Sequence, residues 1–265
     1  MPWFPLPVRL PFGSWWLAWN DVCGDAIFIG AFEEAERRFV EHFLQPEMTV
    51  VDVGAHHGLY TLLTSVKVGP QGRVIAFEPS PRERKKLLWH LRLNHCTNVQ
   101  VESTALGSSV GQGELFVVNG RETGCNSLCP PKVSEPIKVL RVAVDTLDNY
   151  LRQQKIEGGV DFIKIDVEGA ELEVFKGATV LLRREPRPVI LCEVQDFRTQ
   201  PWDYKAKEII EFLHKLGYFW FSFSSDGKLE PIPVNQGVFG ANLVAIPKEC
   251  IDQLKTVIKG NDTEF

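Results

Sequence analysis

No stretch of the chain approaches the ~18–20 uninterrupted apolar residues of a membrane helix. The richest runs, such as 188–194, are only strand-sized. A soluble protein with no membrane span is expected. Prolines at 2, 5, 7 and 11 break the apolar helix that a secretory leader needs, so a cytoplasmic protein is expected. Cysteine is sparse: six in 265 residues are too few for a disulfide scaffold, and reduced thiols are expected. Cys125 and Cys129 have a spacing that zinc accepts, but no second ligand pair follows, so no metal is expected. Positive charge is short as well. A net charge of −5 argues against holding long nucleic acid by counterion release. The single basic cluster, 82–86, reads as the solvated face of a helix. There is no internal repeat, no low-complexity tract and no G-x-x-x-x-G-K-[ST] loop for a triphosphate.

What is present is an ordinary globular composition, 44% hydrophobic and 24% charged, able to bury one large core. From residue 49 onward, short β-branched runs alternate with helix-period segments, the pattern of parallel strands joined by crossover helices. Core strands are expected at 49–53, 73–77, 99–103, 161–165, 188–194, 218–223 and 243–246. The fold class is therefore α/β, a doubly wound sheet of seven strands. Ser80-Pro81-Arg82-Glu83 carries a cap, a first-turn proline and a glutamate three residues on, so a helix is expected to run towards Asn94. Further helices are expected at 33–44, 171–182 and 207–216. Two strand-like runs, 113–118 and 138–144, flank a Gly/Asn/Pro-rich loop and suggest an inserted hairpin. The chain divides into an aromatic-rich arm (1–31), a central domain (32–250) and a tail (251–265).

The first core strand ends in Asp52-Val53-Gly54-Ala55-His56-His57-Gly58 and turns through glycines into a helix near Leu59. Glycine lets a ligand approach the backbone, and a helix N-terminus offers unpaired amides. A dinucleotide fingerprint needs G-x-G-x-x-G; here Asp52 replaces the first glycine and the last interval is one residue longer. A carboxylate there repels phosphates but suits an ammonium group, such as that of the methionyl part of S-adenosylmethionine. The second strand ends in Phe77-Glu78-Pro79, about 20 residues after Gly58, where a carboxylate can accept both ribose hydroxyls. The third leads into Ala105 and Leu106, small enough to receive an adenine ring. The fourth exits through Asp166-Val167-Glu168-Gly169-Ala170-Glu171, and Glu193 ends the apolar run of its neighbour. Asp166 and Glu193 are thus expected side by side, able to share a proton, orient a hydroxyl or hold a cation. Glu171 reads as a helix N-terminal acid that complements the dipole.

The ordered set Asp52-x-Gly54-Ala55-x-x-Gly58, Ala76-Phe77-Glu78-Pro79, Asn126-Ser127-Leu128 and Lys164-Ile165-Asp166-Val167-Glu168-Gly169-Ala170-Glu171 resembles the FkbM-type methyltransferases over residues 32–246. The resemblance implies the class I methyltransferase Rossmann-like sheet order 3-2-1-4-5-7-6, with one antiparallel strand. It implies S-adenosyl-L-methionine as cofactor, Asp52, Gly54 and Gly58 around the methionyl group, Glu78 at the ribose, and Asp166 with Glu168 at the transfer site. The family pattern often has Asn where this chain has His56 or His57; these histidines either line the site or start the helix.

The reaction expected is O-methylation of a hydroxyl on a small molecule, sugar or natural product, with Asp166 or Glu193 as base. N-methylation of a peptide or amide is the alternative. More remote are a nicotinamide-dependent oxidoreductase and a non-catalytic binding module. The loop 119–136 and the aromatic arm are candidate lids, and Trp15, Trp16 and Trp19 can form an apolar patch for a second subunit.

Overall fold

The computed structural model describes residues 4–156, 158–224, 228–234 and 237–255. Trp3 of the arm and positions 256–265 of the tail lie outside the described residues. The arm is ordered into a hairpin, β1 (Leu6–Arg9) and β2 (Trp15–Ala18), followed by helices α1 (Val22–Phe28) and α2 (Glu34–Phe43). Then come β3 (Thr49–Val53), α3 (Leu59–Val68), β4 (Arg73–Phe77), α4 (Pro81–Leu93), β5 (Val99–Glu102) and β6 (Ala105–Leu106). A long antiparallel pair, β7 (Gly111–Val118) and β8 (Ile137–Asp145), precedes α5 (Leu147–Gln153) and β9 (Phe162–Ile165). The chain closes with α6 (Glu171–Lys176), β10 (Val189–Gln195), α7 (Asp196–Thr199), α8 (Ala206–Lys215), β11 (Tyr218–Phe223), β12 (Leu229–Pro231) and β13 (Gly240–Pro247).

The main sheet has eight strands rather than the expected seven, in the order β12-β11-β13-β10-β9-β3-β4-β5. β13 runs antiparallel to both of its neighbours, and β3, β4, β5, β9 and β10 are mutually parallel. The eighth strand, β12, is a three-residue edge piece ending at Pro231, too short and proline-marked to show a strand pattern. β7 and β8 pair over eight positions and join β6 in a separate three-stranded sheet beside the main one.

Strand alternation divides the core. Val51, Val53, Ile75, Phe77, Ile163 and Ile165 face one layer, whereas Val50, Val74 and Phe162 face the other with Phe39 and Leu63. The same alternation sends Asp52 and Lys164, opposite each other in the β3–β9 register, to the α2–α3 side. The arm is not a loose extension. Leu10, Trp16 and Ile27 pack with Leu59, Leu62, Leu87 and Leu91 in a core of their own. Asn94, just past α4, clamps β2 through both the amide and carbonyl of Trp15.

Two local expectations change. Ser80 precedes α4 as anticipated, but its hydroxyl donates to the Glu83 carboxylate instead of capping a backbone amide. The basic cluster is not a solvated face: Arg82 donates to the Val118 carbonyl, Arg84 to those of Glu78 and Pro79, and Lys86 to Asp21 of the arm. These cations tie α4 to three other segments.

Candidate active site

At the carboxyl ends of β3, β4 and β9, two cavities open and share a wall. The first is lined by Phe77, Glu78, Pro79, Ala105, Leu106 and residues of the 119–136 loop. The second is lined by Trp16, Glu33, Asp52, His57, Lys164 and Glu193 among others. Gly54, His56, Gly124 and Asp166 line both.

The shared wall follows from a close approach of two strand ends. Gly54 has φ +81°, and a Cβ there would sit 1.8 Å from the Asp166 carbonyl oxygen. Only glycine lets β3 leave the sheet against β9 and present bare backbone to the first cavity. Gly58, at φ +90°, lines neither cavity; a Cβ would lie 2.3 Å from Leu87 Cδ1, so this glycine lets α3 pack on α4. Ala55 lines the second cavity.

Glu78 is buried in the first cavity, where its Oε2 accepts from the His56 amide (2.8 Å) and its Oε1 from the Ser80 amide (2.8 Å). Each oxygen keeps a lone pair for a ligand hydroxyl. Burial, and then the nearby Glu83 carboxylate, raise its pKa to about 8 against the pull of those two amides. Asn126, Ser127 and Leu128 close the cavity from above, and the Ser127 hydroxyl donates to the Glu168 carbonyl at 2.9 Å. The 119–136 loop is thus part of the cavity wall and is tied to the 166–171 turn.

Asp52 faces the second cavity and accepts from the Thr61 hydroxyl at 2.6 Å. Burial raises its pKa to about 6, while Thr61 and Lys164 pull it back. Asp166, Glu168 and Glu193 are brought together as expected, with carboxylate oxygens all within 4.8 Å of one another. Burial first, then the Asp166 charge, lifts Glu168 to about 8 and Glu193 well above the usual carboxylate range. Burial and the like charge of Asp166 thus disfavour ionising every carboxyl at once, and the cluster shares protons as a unit rather than titrating as separate groups. Glu168 sits at φ +57° and lies 2.7 Å from Arg198 Nε, an ion pair without hydrogen-bond alignment. Glu171 accepts from the amides of Val167 and Gly169, so it closes the 166–171 turn in addition to standing at the start of α6.

Lys164 is the residue missed from sequence. Buried among apolar neighbours of β9, its ammonium donates to Asp166 Oδ2 at 3.1 Å. Burial opposes its charge, but Asp166, Glu33 and Glu193 more than offset this and raise its pKa. Glu33, which accepts from Tyr60 (2.6 Å) and Asn242 (3.0 Å), was also missed. The one available signal was a lysine inside a four-residue apolar strand.

The FkbM methyltransferase domain family matches residues 52–219, which include Asp52, Glu78, Lys164, Asp166, Glu168 and Glu193 but not Glu33, just before α2. The chain belongs to that family. It carries an S-adenosylmethionine-dependent methyltransferase domain with a class I, Rossmann-like fold. "Methyltransferase sdnD" of Sordaria araneosa is 31% identical over 155 residues, covering 48% of this chain and 59% of that protein. "Methyltransferase 1" of Beauveria bassiana is 27% identical over 147 residues, covering 48% of this chain and 57% of that protein. The chain thus spans under two thirds of the length of these relatives. The solved FkbM methyltransferase of Methylobacillus flagellatus KT aligns with 79% of this chain and 50% of its own, at 15% identity and a TM-score of 0.47. Among the described residues, no helix of this FkbM-family protein is long and apolar enough to cross a membrane.

Proposed function

We propose that this protein methylates a hydroxyl oxygen of a small molecule, sugar or natural product, with the cofactor in the first cavity and the acceptor in the second. The observation that carries this reading is Asp166, whose position in the common wall puts one carboxylate between the two ligands. The first cavity fits S-adenosylmethionine. It has a buried acid with free lone pairs at the end of β4, a wall of Pro79, Ala105 and Leu106 for a flat ring, and bare backbone at Gly54. When bound, the cofactor supplies a methyl group activated on a sulfonium.

The protein's part is alignment, exclusion of water and proton management. Glu78 holds the ribose, while Ala105 and Leu106 receive the adenine. Gly54 borders the methionyl group, and Asp52 acts from the acceptor side as part of the field around Lys164. Asp166 takes the acceptor's proton, Glu193, whose charge burial and Asp166 disfavour, donates a hydrogen bond that fixes the acceptor's oxygen, and Glu168 stays paired with Arg198. Strands β5-β4-β3-β9-β10-β13-β11 correspond in this reading to the order 3-2-1-4-5-7-6, with β12 added at the edge and β7–β8 as the inserted hairpin. We divide the chain functionally into the arm 1–31, the catalytic domain 32–250 and the tail 251–265. We place the enzyme in the cytoplasm, acting on small molecules rather than nucleic acid, with the exposed Trp15 available to a second copy.

Titration calorimetry with S-adenosylhomocysteine tests the cofactor half. Glu78→Ala is expected to weaken binding by about 1.5–3 kcal/mol, the range for charge-assisted hydrogen bonds. The ionised carboxylate is the form that accepts two hydroxyls, and its raised pKa of about 8 leaves it largely protonated at pH 6. Affinity should therefore rise from pH 6 through about 8 and then level, and Glu78→Gln should flatten that rise. Unchanged affinity in Glu78→Ala removes this acid from the site.

A further inference from the structure

The acceptor-side cavity has two unlike faces. One is ionic, built from Lys164, Asp166, Glu193 and Glu33; the other is apolar, built from Trp16, Ile27, Phe32 and Leu59. On the apolar face stand two polar groups that the transfer chemistry above does not use. Trp16 and His57 are each 1% exposed and both line this cavity. Among the described residues, neither the Trp16 indole N–H nor either ring nitrogen of His57 has a hydrogen-bond partner. The Asp21 carboxylate is 3.8 Å from Nδ1, beyond hydrogen-bond reach. Buried polar atoms without partners are costly, and native proteins keep few of them.

Both rings are held in place by a third. His90 stacks on Trp16 with centroids 3.9 Å apart, accepts from the Leu17 amide at 3.0 Å, and bonds through Nδ1 to the His57 carbonyl at 2.7 Å. His57 is itself stacked on His56 at 3.6 Å. The Trp16 and His57 ring centroids are 6.4 Å apart, close enough for one small group to meet both.

Building on the acceptor placement proposed above, we infer that Trp16 and His57 form a subsite for a second, neutral oxygen of the acceptor, a carbonyl, hydroxyl or ether, distinct from the hydroxyl that is methylated. The indole N–H only donates, so its partner must accept. Burial, followed by the neighbouring His56 and Lys86, keeps His57 well below the ordinary histidine range, so it presents one donor and one acceptor. A cationic group has nothing to give the indole, and an anion would share the cavity with Asp166, Glu193 and Glu33. Trp16 lies outside the 52–219 family match, so this specificity belongs to the arm of this chain.

The test uses two probes of nearly one shape, 4-hydroxyacetophenone and 4-ethylphenol, which differ in a carbonyl oxygen. They are titrated into the full chain saturated with S-adenosylhomocysteine and labelled with 15N at its indoles, the Trp16 signal being assigned with Trp16→Phe. The ketone is expected to bind about 5–10-fold more tightly, the scale of one or two neutral hydrogen bonds, and to move the Trp16 N–H proton downfield. His57→Phe should abolish the preference. Equal affinity for the two probes, binding of neither, or a Trp16 signal indifferent to the ketone overturns the subsite. Calorimetry on the same samples separates the two claims. Loss of S-adenosylhomocysteine binding defeats the methyltransferase reading, whereas its retention with no ketone preference defeats only the subsite.

Discussion

Asp166→Asn is expected to lower single-turnover methyl transfer by about 100-fold or more, the usual scale for losing a general base, while S-adenosylhomocysteine affinity stays within about threefold. The separation follows from where the residue sits. Its backbone amide donates to the Val53 carbonyl, and its carbonyl packs against Gly54, so the turn is fixed by main chain that asparagine preserves. Only the carboxylate is left free of the turn, and it meets Lys164, Glu168 and Glu193. Asparagine keeps the shape and loses the ability to take a proton. Glu193→Gln should act in the same direction but more weakly, because a carboxyl already raised well above its usual range works as a hydrogen-bond donor, which an amide can imitate. The measurement is rapid-quench transfer of labelled methyl from S-adenosylmethionine to any hydroxylated compound that the wild-type protein methylates. Near-wild-type rates in Asp166→Asn would make this acid structural. Loss of wild-type activity to a chelator, with recovery on adding divalent ions, would assign the three carboxylates to a metal instead.

The parts of this site that were legible in the sequence are those that the strand pattern itself positions. Asp52, Glu78 and Asp166 each lie at or just past the end of a short apolar run, and parallel strands place such ends along one edge. Glu193 falls inside β10 but at the same edge, because β10 is registered on β9 through Cys192 and Ile165. Less legible was which cavity each acid enters. Asp52 reads as a cofactor residue from its place in a glycine motif, and the contact that only the fold supplies is with Thr61 and the second cavity. Gly58 reads as a ligand-binding glycine, yet its contact with Leu87 is a packing relation across 29 residues that no local pattern reveals. The cluster 82–86 reads as solvent-facing because charge normally is, and its partners at Val118 and Asp21 come from distant segments. The arm is the extreme case. Its tryptophans read as a lid or a patch for a second subunit, and only the shared core with α3 and α4 shows that Trp16 is buried in a wall of the second cavity.

Lys164 brings these strands of argument together, and Lys164→Met is expected to destabilise the fold by about 3–5 kcal/mol, the scale for removing one partner of a buried ion pair. Methionine matches the lysine stem and suits an apolar strand, so packing alone predicts a small change. The charge balance predicts a large one. Asp166, Glu33, Glu193 and Asp52 all feel the Lys164 ammonium, which also lies 5.3 Å over the Tyr60 ring. Without it, carboxylates face one another with Arg198, paired to Glu168, as the cation beside the acid cluster among the described residues. The sign of the pH dependence separates these explanations. Glu33, Glu193 and Asp52 already have folded-state pKa values raised above their ordinary ones, Asp52 to about 6. Stability from such groups is fully present below the unfolded pKa and is lost as pH rises through the folded one. Removing the ammonium raises these folded values further. The gap between wild type and variant should accordingly be small near pH 4.5 and widen towards pH 8. Urea unfolding at both pH values measures it, and adding Asp166→Asn to Lys164→Met should recover part of the loss at pH 8. A deficit of equal size at both pH values, untouched by the second substitution, would show that the lysine is held for its shape and not for its charge.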